Sequence, residues 1–341
     1  MSEIPLPDAL SAALRGRPFT VAEAVALGLS PDQLRSTALV TPAWGVRSAK
    51  EPTSLSDRCL ALATALQDRF AFSHLTAARL YNLPISRGME DDERLHVVRD
   101  TLDGSTRRPG VAGHRGLEAR GVCQVKGVPV TGLADTWVDM GELIGPGKSV
   151  GLDDLIILGD AIALRLGSVQ PLRAALEKRV RPRGKLTLIE ALEWIRYGAQ
   201  SPGETRTRLV LVRAGLPEPV LNQPIITTER IWLGRPDLMW RDHRVLIEYQ
   251  GEAFHTEQKD RERDDARHSG FRDDDWEVVL VWKEDVHSTD ARRELVLRIA
   301  GLLSVPREAL TLDECEPRFF SRRMLELADI RSRRQRARRV A

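Results

Sequence analysis

The sequence predicts an α+β protein of several domains, and three patterns along the chain carry that prediction. A first block reads as helix, turn, helix and hairpin. A middle block moves from helices to short strands and back to helices. A third reads as α-β-β-β-α-β-α and is followed by a basic tail. At 341 residues the chain also exceeds one ordinary domain. The expected segments are 1–50, 51–195, 196–303 and 304–341.

Composition sets the broad class. With 42% apolar and 29% charged residues the chain reads as globular and soluble. No apolar run approaches the roughly 18 to 20 residues that cross a bilayer. The start, MSEIPLPDALSAALRG, lacks a basic region followed by an apolar core. A cytoplasmic protein without a membrane partner is expected. Cys59, Cys123 and Cys315 are far apart and form no CxxC pair, which argues against a structural zinc site and for buried, inert thiols. The net charge of +2 does not announce a nucleic-acid binder, but RSRRQRARR, from Arg331 to Arg339, can neutralise phosphates. The same run also reads as a solvated helix end.

In the first block Thr20 can cap a helix over VAEAVALG, with Glu23 as its capping-box partner. Gly28 ends that helix, and Ser30 with Pro31 starts a second over PDQLRSTA. LVTPAWGVRS then suits a short hairpin. This is the outline of a winged helix-turn-helix. Its presumed recognition helix carries only Arg35 as a cation, so a packing role competes with base reading.

From Ser54 to Leu83 a stripe of Leu55, Leu60, Leu62, Leu66, Phe70, Leu75 and Leu80 predicts amphipathic helices. His74, just before TAARLYNLP, reads as a cap or a buried hydrogen-bonding residue. Leu95 to Val130 breaks into strand-like runs, and Val138 to Tyr197 returns to helices. The segments FSHLTAARLYNLP, HRG, VPVTGLADTWVDMGEL and DDLIILGDAIAL resemble the AbiEi-type antitoxins over about the first 195 residues. That resemblance implies a regulatory or DNA-binding ancestry and a toxin as partner.

The third block opens with Ser201 as N-cap, Pro202 at the first helical position and Glu204 able to close a capping box; Gly215 ends the helix. VLNQPIIT and RIWLGRPDLMW suit a first hairpin, and HRVLIEYQG follows the turn RDH. A charged helix is expected over Thr256 to Ser269, a strand over Trp276 to Trp282 and a closing helix over Ala291 to Leu303. Asp237 is expected within the second strand and Glu248 within the third, close enough across a short turn to share one spot. Glu248 lies in an otherwise apolar strand, and a buried carboxylate needs a cation such as Mg²⁺. Trp232, Trp240 and Trp276 read as core residues.

Pro236-Asp237 followed by Glu248-Tyr249-Gln250 resembles the PD-(D/E)XK nuclease superfamily. The longer run SPGE, AGLPEPVLNQP, RPDLMW, IEYQG and DDDWEVV resembles a narrower group related to the very-short-patch repair endonuclease. The resemblance implies a restriction-endonuclease-like fold with Mg²⁺ or Mn²⁺ as cofactor. It implies Asp237, Glu248 and the Tyr249 carbonyl as metal ligands, Glu204 holding a water, and His255 at the rim as general acid or phosphate contact. Asp264 and Arg267 match a charged helix and are expected to be structural. Gln250 stands where the superfamily usually has lysine; it can orient a water but supplies no charge. Lys259 is a candidate for the missing cation.

The expected function is therefore a metal-dependent phosphodiesterase, a DNA endonuclease with an N-terminal DNA-binding or regulatory module. The alternative is a non-catalytic DNA-binding regulator, or type IV antitoxin-like protein, on a degenerate nuclease fold. Nucleic acid, with DNA first, is the expected partner, and a toxin or a second copy of the chain is a further candidate. No GxSxG or GxxxxGK[ST] run is present.

Overall fold

Strands in the described residues of the computed structural model (17–66, 69–145, 147–251 and 267–330) pair into four separate sheets. These divide between two units of an α+β chain with mixed sheets. One comprises residues 1–140 with 178–180, the other 141–177 with 181–341. No single helix among the described residues is long and apolar enough to cross a membrane.

In the first unit, β1 (Phe19–Thr20) pairs antiparallel with β2 (Val46–Arg47). Thr20 Oγ1 accepts from the Glu23 N–H at 3.0 Å and starts the helix Val21–Ala26. Ser30 and Gln33 close a capping box on the next helix, Pro31–Leu34, which is a single turn and shorter than the sequence suggested. Phe19, Ala24, Leu29, Leu34 and Leu39 form the small core that holds these pieces. The expected hairpin closes only through Val40 and Ser48, because β2 spends its pairing on β1.

A five-stranded sheet follows in the order β5-β4-β3-β7-β6, with β3 Phe70–Phe72, β4 Leu95–Arg99, β5 Val111–Arg115, β6 Val122–Val125 and β7 Val128–Thr131. The β4–β5 and β3–β7 pairs are parallel and the other two antiparallel. Helices Leu55–Thr64 and His74–Leu80 bury Cys59, Leu62, Ala77 and Leu80 against Phe72, Val97, Val128 and Val130. Cys123 is exposed, contrary to the expectation for the three thiols, because it lies on the edge strand β6, whose residues mostly face solvent. Asp139 is buried between Arg120 and Arg179, at 2.8 and 2.9 Å. Such a carboxylate is tolerable in the interior because both cations neutralise it.

The second unit contains the helices Leu152–Leu166, Lys185–Trp194, Pro202–Arg213 and Thr289–Leu302. Its four-stranded sheet runs β13-β12-β11-β8, with β8 Val220–Leu221, β11 Leu238–Trp240, β12 Val245–Gln250 and β13 Glu277–Trp282. β12 and β13 are parallel, and β11 lies antiparallel to both β12 and β8. One face of the sheet places Leu238, Trp240, Val245, Ile247, Val279 and Val281 against Leu211, Val296 and Ile299 of the helices. The other carries Met239, Leu246 and Val278, with Phe271 and Trp276.

The two long extended runs expected before β12 are each broken. β9 (Ile225–Ile226) and β10 (Trp232–Gly234) leave the main sheet to form their own ribbon. Pro224 and Pro236 stand at these breaks, and proline has no N–H to donate to a ladder. Asp237 consequently precedes β11 and does not lie within a strand. Trp232, on the isolated ribbon, is 62% exposed, whereas Trp240 and Trp276 are buried as expected. Residues 267–273 are helical; the rest of the charged helix predicted over Thr256 to Ser269 lies outside the described residues, as does the basic run Arg331 to Arg339. Residues beyond 303 also join this unit, with Cys315 in its core and Phe319 O accepting the Leu152 N–H at 2.8 Å.

Candidate active site

The helix Pro202–Arg213 begins where Ser201 Oγ accepts the Glu204 N–H at 3.2 Å, and Pro202 needs no donor there. The Glu204 carboxylate does not turn back to the Ser201 N–H. One of its oxygens accepts from the Gln200 N–H at 2.8 Å and from the Asn222 side-chain amide at 2.7 Å. Asn222 holds a left-handed φ of +48° just after β8, so the first strand and the helix start are tied through one carboxylate. Across the sheet, Asp237 Oδ2 accepts the Tyr249 N–H at 2.7 Å. The antiparallel pairing of Leu238 with Ile247 at the end of the β11–β12 ladder sets the preceding residue, Asp237, opposite Glu248.

These groups line one cavity of about 550 Å³, walled by Ser201 to Glu204, Arg206, Asp237, Glu248 to Gly251, Arg267 and Lys283. The structure thus brings together Glu204, Asp237, Glu248, Tyr249 and Gln250 from the residues singled out in the sequence. His255, Lys259 and Asp264 lie outside the described residues. Arg267, expected to be structural, lines the cavity, and its guanidinium lies 3.4 Å from Glu248 Oε2. Lys283 was not anticipated. It follows directly on β13, whose Trp282 is registered with Gln250 in the parallel ladder. The signal in the sequence was the cation ending WEVVLVWK, but only the β12–β13 pairing gives it a meaning.

Electrostatics separate this cavity from an ordinary polar cleft. Burial pushes the Asp237 carboxyl up to about 8, and the charges of Glu204 and Glu248 add to the rise against the Tyr249 N–H and Arg267. Asp237 therefore holds its proton at neutral pH unless further positive charge enters. The donor set suits a hard divalent cation: Glu204, Asp237 and Glu248 line the cavity, and no thiol or imidazole among the described residues does. The three acids do not close to the tight three-ligand spacing that a histidine trio elsewhere in the chain reaches. An ion taken by two carboxylates and several waters, the usual manner of Mg²⁺, fits that looser arrangement.

The chain is 28% identical over 284 residues to two uncharacterized proteins of Mycobacterium tuberculosis, from two strains. The similarity covers 81% of this chain and 97% of each relative. No protein-family model matches the chain, and no solved structure does.

Gly203 is required by the site's construction. A Cβ there would lie 2.0 Å from Tyr249 Cε1, with two further ring atoms within 2.4 Å. The helix start and the strand carrying Glu248 pack backbone to ring at this point. Gly203→Ala should lower stability by about 1–3 kcal/mol through overpacking. Urea unfolding of the variant checks this, and a Gly203→Ala, Tyr249→Ala double variant should cost less than the two single changes summed. Equal or additive losses would exclude the contact as the cause.

Proposed function

We propose that the second unit carries a metal-dependent phosphodiesterase site acting on nucleic acid, with DNA as the substrate. In this reading its C-terminal part is a PD-(D/E)XK nuclease domain of the very-short-patch-repair-like group, and residues 19–48 are a winged helix-turn-helix that targets or regulates it. The observation that carries the reading is the convergence of Glu204, Asp237 and Glu248 with Arg267, Lys283 and Gln250 on a single cavity.

Asp237 and Glu248 would hold Mg²⁺ or Mn²⁺. The ion would supply Lewis-acid polarisation of a phosphodiester oxygen and a lowered pKa for the attacking water. The remaining work belongs to the chain. Glu204, fixed by Gln200 and Asn222, orients a water at the edge of the cavity. Gln250 offers one acceptor and two donors for the same water or for a phosphate oxygen. Arg267 and Lys283 meet the phosphate and stabilise the negative charge that builds on it during attack. Lys283 in particular is a cation lining the cavity whose strand motif has Gln250 in place of lysine.

Gln250 favours a second reading, a non-catalytic DNA-binding regulator or antitoxin that keeps the fold. It predicts metal-independent, salt-sensitive retention of one defined DNA sequence over competitor.

The deciding experiment incubates the full chain with Mg²⁺ or Mn²⁺ and labelled double- and single-stranded DNA. Cleavage that EDTA stops, and that Glu248→Gln reduces by at least roughly 100-fold, is the expected result. Intact DNA under every condition, or cleavage indifferent to Glu248→Gln, overturns the nuclease reading.

A further inference from the structure

We propose that His74, His96 and His114, in the first unit, form a binding site for a transition metal of the Zn²⁺ class. The site is separate from the carboxylate cavity, and the proposal does not depend on the nuclease reading.

The topology assembles the three rings. His96 lies on β4 and His114 on β5; the parallel register pairs Val98 with His114, so His96 and His114 are diagonal neighbours on one face. His74 follows β3, the strand on the other side of β4, and the Ser73 N–H donates to the His96 carbonyl at 3.0 Å. Two adjacent strands and the start of the helix that follows a third therefore deliver one imidazole each, although His114 lies 40 positions after His74. The helix His74–Leu80 is fastened to the same place, because the His96 N–H donates to Thr76 Oγ1 at 2.8 Å.

The donor atoms are spaced as a metal needs them. One ring nitrogen from each histidine lies within 4.8 Å of the other two. His96 Nδ1 and His114 Nε2 are 3.0 Å apart. Two nitrogens at about 2.0–2.1 Å from a tetrahedral ion are separated by roughly 3.3 Å, so this pair needs to open only slightly. His74 stacks on His114 with centroids 3.5 Å apart and planes 19° from parallel. Parallel rings cannot both aim in-plane lone pairs at one ion, so loading requires the His74 or His114 ring to turn out of the stack.

The surroundings supply an orienting partner. His96 Nε2 lies 3.3 Å from Asp92 Oδ2, and Arg94 holds that carboxylate at 2.7 Å. Placing the His96 proton on Nε2 leaves Nδ1 as the lone pair that faces His114, the carboxylate–histidine arrangement that supports metal ligands. His74 and His96 are buried, while His114 is partly exposed and offers a way in. Imidazole nitrogen suits Zn²⁺, Co²⁺, Ni²⁺ or Cu²⁺, and is a poor match for Mg²⁺. His74 also keeps a left-handed φ of +49°, a conformation that a non-glycine residue holds only when its surroundings impose it.

Co²⁺ titration of the metal-free full-length chain tests the proposal, in an Asp237→Asn, Glu248→Gln background that removes the carboxylate cavity as a competitor. The expected result is one equivalent of Co²⁺ bound with the visible absorption of a tetrahedral nitrogen-rich site. Zn²⁺ should bleach that absorption and excess Mg²⁺ should not. His114→Gln, at the partly exposed position, should abolish the signal. Asp92→Asn, which keeps all three rings, should weaken affinity by about 10–100-fold. No absorption in the parent chain, or absorption that survives His114→Gln, overturns the site. Should His114→Gln fail to fold, an Asp92→Asn chain with undiminished affinity overturns it equally, since cobalt held elsewhere in the chain gives that result. DNA cleavage is read in none of these assays, so this outcome and that of the nuclease test are independent.

Discussion

Asp237→Asn should make the metal-free protein more stable than the parent chain at pH 8, while removing most of its stabilisation by Mg²⁺. Burial first, and then Glu204 and Glu248, push the Asp237 carboxyl up to about 8 in the folded chain. In the unfolded chain an aspartate releases its proton at about 3.9. Between those values the folded state holds a proton that the unfolded state has lost. The stabilisation is thus fully present below the unfolded pKa and disappears as pH rises through the folded one. The metal-free parent should lose on the order of 1 kcal/mol per pH unit across roughly pH 5 to 8. Asparagine resembles the protonated carboxyl in shape and carries no titrating proton, so the variant's profile should be flatter in that window. Mg²⁺ should reverse the parent's slope, because a cation favours the ionised acid and is bound more tightly as pH rises. Urea unfolding at several pH values, with EDTA and with Mg²⁺, measures both effects. Parallel pH profiles for parent and variant would exclude Asp237 as the buried proton-holding group.

Asp160→Ala, at a residue that does not line the cavity, should destabilise the chain. Asp160 lies in the helix Leu152–Leu166, and both it and Arg208 are almost wholly excluded from solvent. Arg208 lies 2.9 Å from Asp160 Oδ2 and also donates to the Trp194 carbonyl at 2.8 Å. Thr205 Oγ1 at 2.9 Å and the Arg196 N–H at 2.7 Å complete the shell of the carboxylate. Burial pushes the Asp160 carboxyl up, and Arg208 opposes that rise. Deleting the acid leaves a guanidinium in the interior with its main counter-charge gone, a change that costs about 3–5 kcal/mol. Thr205 and Arg208 are on the helix that presents Glu204, so the same variant should weaken metal binding in the cavity. Asp160→Asn, which can keep the Arg196 and Thr205 bonds, should lose less. A loss below about 1 kcal/mol for Asp160→Ala would show that Arg208 finds another partner at little cost.

Elements written in local chemistry were legible before any coordinates. Ser201 and Pro202 mark a helix start that appears where expected, and the β-branched run of WEVVLVW becomes β13. Asp237 and Glu248 were recognised as a pair because a short turn joins their segments, and the structure lines one cavity with both. The prolines at 224 and 236 were equally visible, yet the apolar pattern on either side ran through them and suggested two unbroken strands. Pattern reports which face a residue prefers; it does not report that a segment leaves one sheet for another.

The sequence by itself determined the α+β class of the chain, the starts of its capped helices, the strands β12 and β13, and Asp237 and Glu248 as two acids lining one cavity. These depend on neighbours a few residues apart, where cap chemistry and alternation act directly. Only the tertiary structure decided that Arg267 and Lys283 share that cavity, and that His74, His96 and His114 meet at all. Those meetings depend on the order β13-β12-β11-β8 in one sheet and β5-β4-β3 in the other. In each, parallel neighbours are joined by long connections, so the residues that approach in space are set by the burial of whole faces rather than by any spacing along the chain.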